Sequence, residues 1–66
     1  MKKYPHGYTP PTPDEIRGFL KANNLTGAGA ARLLKINSRT VRRWTGGDAE
    51  MPYSAWKLLQ IEMGEL

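Results

Sequence analysis

A chain of 66 residues without cysteine has room for one small domain, held by neither disulfides nor a thiolate metal site. Its net charge of +4 is unevenly placed: Arg17, Lys21, Arg32, Lys35, Arg39, Arg42 and Arg43 lie between Ile16 and Gly47, a stretch with no acidic residue. That concentration suits a polyanionic partner, with a solvated basic face as the alternative, while the absence of an apolar leader or a long apolar run argues against export and membrane insertion. The chain therefore reads as cytoplasmic.

Residues 1–11 hold Pro5, Pro10 and Pro11 and are expected to form a flexible, non-helical arm. Disorder is its expected state, and entry of Lys2 and Lys3 into a minor groove is the alternative. A helical domain then fills 12–66. Thr12-Pro13-Asp14-Glu15 predicts a helix start: a hydroxyl cap, proline at the first helical position and a glutamate three residues past the cap. Ile16, Phe19 and Leu20 follow at helical spacing, with Arg17 and Lys21 on the other face, and Asn23-Asn24 marks the exit.

Thr26 predicts the cap of a short second helix in which Ala28, Ala30 and Ala31 keep the contact surface small. Lys35-Ile36-Asn37 breaks the pattern, and Asn37 predicts the cap of a third helix from Ser38 to Trp44 with Val41 and Trp44 inward. At 100° per residue, Ser38, Arg39, Arg42 and Arg43 then fall outward. Gly46-Gly47 ends that helix, and a polar loop runs from Asp48 to Met51. Pro52 is placed as the first residue of a fourth helix carrying Ala55, Trp56, Leu58, Leu59 and Met63, which Gly64 stops. Trp44 and Trp56 are both expected in the core. The fold class is all-α, a bundle of four to five short helices.

Two short helices joined by a tight turn, the second with cations outward, make a helix-turn-helix, whose second helix fits the major groove of B-DNA. The run from Leu25 to Gly47 resembles the core of the Cro/C1-type (XRE) family of bacterial and phage regulators, which commonly reads L-T-Q-x-x-x-A-x-x-L-G-V-S-x-x-T-V-x-x-W-x-x-G. Leu25, Thr26, Ala31, Leu34, Thr40, Val41, Trp44 and Gly47 match without a gap, and Ile36 and Asn37 are conservative replacements. Gly27 stands where the family has glutamine, and Lys35 where it has the turn glycine.

The resemblance implies a lambda-repressor-like fold and sequence-specific binding of double-stranded DNA, most simply as a repressor. By position it implies base reading by Ser38, Arg39 and Arg43, and phosphate contacts from Thr26, Gly27, Arg32, Lys35, Thr40 and Arg42. Arginine binds guanine O6 and N7 bidentately, so Arg39 and Arg43 are expected to read guanine. Tyr53, Trp56, Ile61, Met63 and Leu66 exceed the needs of a small core and are read as a dimer patch, since a two-fold dimer spans palindromic half-sites about 34 Å apart. An antitoxin or adaptor on the same fold is the competing function.

Enzymatic chemistry finds no support in the residues. His6 is the sole histidine and lies in the arm, Asp14 and Glu15 are accounted for by capping, and Gly27-Ala28-Gly29 lacks the rest of a dinucleotide fingerprint. No cofactor, metal or small-molecule ligand is expected.

Overall fold

A computed structural model describes residues 7–64 of the chain. Among them are four helices and no strand: α1 (Pro13–Ala22), α2 (Gly27–Leu34), α3 (Ser38–Thr45) and α4 (Tyr53–Glu62). The all-α bundle expected from the periodicity is the one observed. Lys2, Lys3, His6 and Leu66 lie outside the described residues.

Local chemistry sets where each helix begins. Thr12 and Glu15 form a reciprocal capping box, in which the Glu15 N–H donates to Thr12 Oγ1 (3.1 Å) and the Thr12 N–H donates to Glu15 Oε1 (2.7 Å). Thr26 Oγ1 accepts from the Gly29 N–H at 2.9 Å, and Asn37 Oδ1 accepts from the Arg39 N–H at 2.8 Å. Each bond satisfies an amide that the helix itself leaves without a partner. α4 begins differently. Pro52 is its cap, one position before the first helical residue, with φ −70° and ψ 155° and no side-chain bond. Proline lacks a donor, so an extended φ/ψ just ahead of the helix suits it as well as the first helical position does.

The first three helices share one way of ending. After α1 the Leu25 N–H donates to the Leu20 carbonyl and the Asn24 N–H to that of Lys21. After α2 the equivalent pair is Ile36 to Ala31 and Lys35 to Arg32, and after α3 it is Asp48 to Arg43 and Gly47 to Trp44. These nested bonds require a left-handed residue at the turn, and Asn24 (φ 55°), Lys35 (φ 60°) and Gly47 (φ 87°) supply it. Lys35 adopts it at a cost, because Cβ crowds the following carbonyl there.

The core is one cluster: Ile16 and Leu20 from α1, Ala30, Ala31 and Leu34 from α2, Val41 and Trp44 from α3, Met51, and Leu59 from α4. α2 packs most extensively on α3, and Ala30 and Ala31 are both buried. Ala28 faces solvent instead. Its direction follows from helical rotation, which turns it away from the buried residues Ala30, Ala31 and Leu34.

Two further positions depart from the sequence expectation. Met51, at the end of the loop read as polar, is 1% exposed and fills the core from outside any helix. An unbranched thioether adapts to such an irregular space. Trp56 is half-buried at the edge of the core, its ring meeting Phe19 edge-on with centroids 5.1 Å apart. No charged or polar residue is buried among the described residues, so the charges they carry lie at the surface.

Candidate DNA interface

α3 is eight residues long, too short to persist in water alone, and it is held by Val41 and Trp44 on its inner side. Those two anchors fix its rotation about its axis. Arg39 then lies at the centre of the outward face, with Arg42 and Arg43 to either side, all three exposed. None of them has an acidic partner among the described residues, where the ion pair present is Arg17 with Asp14. Three cations held within about one helical turn, with no described counter-charge, repel one another, so the arrangement favours an anionic partner.

Ser38 and Thr40 are half-buried beside this face. Thr40 lines a groove of about 290 Å³ with Leu34, Ile36, Trp44, Pro52, Ser54, Ala55 and Leu58, which turns it toward α4. At the start of α2, the Thr26 hydroxyl oxygen is occupied by the Gly29 N–H while its proton stays free to donate. Gly27 faces α3, and a Cβ built on it would meet Val41 Cγ1 at 3.7 Å, an ordinary contact. Close packing of α2 on α3 therefore does not by itself demand glycine there.

The residues assigned to phosphate contacts do not form one cluster. Arg32 and Lys35 line a pocket with Leu25, Gly29, Leu33, Met63 and Glu62, so a carboxylate faces them from α4. Gly27 and Arg42 lie on another side, in a pocket shared with Arg17 and Lys21. The two α1 cations were assigned no role from sequence, although their spacing of four residues already put them on one helix face.

Of the expected dimer patch, Tyr53 (45% exposed) and Ile61 (52%) face solvent. Trp56 and Met63 pack against the core, and Leu66 falls outside the described residues. The structure adds Leu58 (40%) to the outward side of α4. Tyr53 is also engaged within the chain, since Tyr8 packs edge-on against it at 5.2 Å and Lys57 Nζ sits 5.3 Å from its ring centroid. The Tyr8 hydroxyl donates to the Met51 carbonyl at 3.0 Å.

The architecture is that of a small all-α domain built on a helix-turn-helix, with α2 and α3 joined by residues 35–37. No protein-family model matches the chain. It is similar to two curated proteins of Escherichia coli, each named transcriptional repressor protein KorC. One is 50% identical over 52 residues, covering 74% of this chain and 61% of the relative. The other is 44% identical over 52 residues with the same coverage. This chain thus spans 61% of the length of these relatives.

Among the described residues no helix is long and apolar enough to cross a membrane, and no group of acidic or histidine side chains is placed to hold a metal ion.

Proposed function

We propose that this protein is a bacterial transcriptional repressor that binds double-stranded DNA sequence-specifically through α3. The observation that carries the reading is the row of three exposed arginines, without an acidic partner among the described residues, on the face of α3 opposite Val41 and Trp44. An α-helix with side chains is about 10–12 Å across and the major groove about 12 Å wide, so α3 enters with Arg39 foremost. The similarity to proteins named transcriptional repressor supports the same conclusion.

In this reading the chain is a Cro/C1-type regulator acting in the bacterial cytoplasm without enzymatic activity, its domain spanning 12–66 behind the arm 1–11. Arg39 and Arg43 read guanine edges with Ser38 beside them, while Thr26, Gly27, Arg32, Lys35, Thr40 and Arg42 contact phosphates. Two copies occupy a palindromic operator, meeting through the outward side of α4 around Tyr53, Leu58 and Ile61. Repression needs only occupancy of a promoter, which a domain of this size supplies.

The test is selection of bound duplexes from a random pool by wild type and by Arg39→Ala in parallel. The expected result is a palindromic, guanine-containing motif for wild type whose guanine preference the variant loses, by about 1–3 kcal/mol of discrimination. Failure of both proteins to enrich any sequence would sink specific readout by α3 and favour a protein-interaction module.

A further inference from the structure

We propose that Lys21, with Arg42 and the tethered Arg17, forms a binding pocket for a backbone phosphate of duplex DNA, so that α1 takes part in DNA binding alongside the helix-turn-helix. The inference rests on the DNA-binding reading of α3 and adds to it a contact from outside the motif.

Three helices border this pocket, a shallow and open surface depression of about 450 Å³. Arg17, Leu20 and Lys21 come from α1, Gly27 from α2, and Arg42 and Thr45 from α3, with Leu25 between α1 and α2. Its polar lining contains no carboxylate. The Arg17 guanidinium donates to the Thr45 carbonyl at the end of α3 and pairs with the Asp14 carboxylate. It thereby ties α1 to α3, while Asp14 offsets its charge. Lys21 and Arg42 both line the pocket, are exposed and have no acidic partner among the described residues, so two cations without a described counter-charge border it.

The position of Arg42 on α3 identifies the ligand. It stands about 60° around the helix from Arg39, on the flank toward α1 and α2. A helix that nearly fills the major groove with Arg39 on the base edges presents its flanks to the groove walls, which are lines of phosphodiesters. The wall on the Arg42 side meets the pocket, and Lys21 extends the contact by one helix. The chemistry required is a singly charged phosphate ester at the surface, matched by a compact ammonium and a guanidinium.

A lysine in the last turn of α1 also complements the helix dipole, so a stability measurement does not separate the two roles. The salt dependence of DNA binding does. Affinity of the full chain for a random-sequence 24-base-pair duplex is measured across a salt series for wild type, Lys21→Ala and Lys57→Ala. Lys57 is the control because its loss removes the same net charge from α4. The proposal expects Lys21→Ala to reduce the slope of log affinity against log salt by about 0.9, with Lys57→Ala leaving it unchanged. An unchanged slope in Lys21→Ala, or an equal reduction in both variants, overturns the phosphate pocket while leaving the reading of α3 intact. Absence of binding by wild type at low salt overturns both.

Discussion

Lys35 offers a test in which stability and function should move in opposite directions. Its backbone sits at φ 60° and ψ 42°, where an L-residue is disfavoured by about 1–2 kcal/mol and glycine is not. Replacing it with glycine removes that strain, while the added freedom of the unfolded chain returns about 0.4–1 kcal/mol to the other side. Lys35 is exposed and makes no ion pair among the described residues, so little contact energy is lost. At the middle of both ranges the difference is a net stabilisation of about 0.8 kcal/mol, a rise of about 3–6 °C in Tm for a domain of this size. Lys35→Ala keeps the strained backbone and should be no more stable than wild type. Urea unfolding of the three proteins measures this as a shift in midpoint at constant slope. In the same preparations Lys35→Gly should bind duplex DNA more weakly, with a salt slope reduced by about 0.9 if the ammonium contacts a phosphate. A glycine variant less stable than wild type would refute the strain argument. One that is more stable yet binds DNA as before would refute the phosphate contact.

Other expectations follow from the core, the caps and α4. Leu59→Ala empties a site that is 1% exposed and should cost about 2–5 kcal/mol, readable as a large fall in the urea midpoint. Gly47→Ala should destabilise by about 1–2 kcal/mol because of its φ of 87°; space is not limiting, since the new Cβ would meet Pro13 Cγ at 3.6 Å. Asn37→Ala removes the cap of α3 and should cost about 0.5–2 kcal/mol by thermal unfolding. The double variant Leu58→Glu, Ile61→Glu changes exposed positions, so its fold should persist. Binding to a selected palindrome should then lose its two-copy complex in gel-shift titration, and an unchanged complex would remove α4 from the dimer.

The starts of α1, α2 and α3 were legible because their determinants are local. Thr12 with Glu15, Thr26 and Asn37 each act within three residues of the amide they bind, so the sequence itself places them. The inward pair Val41 and Trp44 was equally legible, since three residues on a helix nearly complete a turn, and it fixed which arginines face outward. Other features depended on how the helices were assembled. Met51 carries no periodic signal in its loop, and only the converging helices show that a space there needed filling. Trp56 and Leu58 are both apolar positions of α4, and only the rotation of that helix turns one toward Phe19 and the other to solvent. The grouping of Lys21 and Arg17 with Arg42 is likewise tertiary: 21 positions separate Lys21 from Arg42 along the chain, and the packing of α1 against α3 brings them to the same pocket. Sequence by itself determined where α1, α2 and α3 begin and which face of α3 carries charge, because caps and helical rotation act over a few residues. Only the tertiary structure decided which cations share a pocket, because that depends on how whole helices cross.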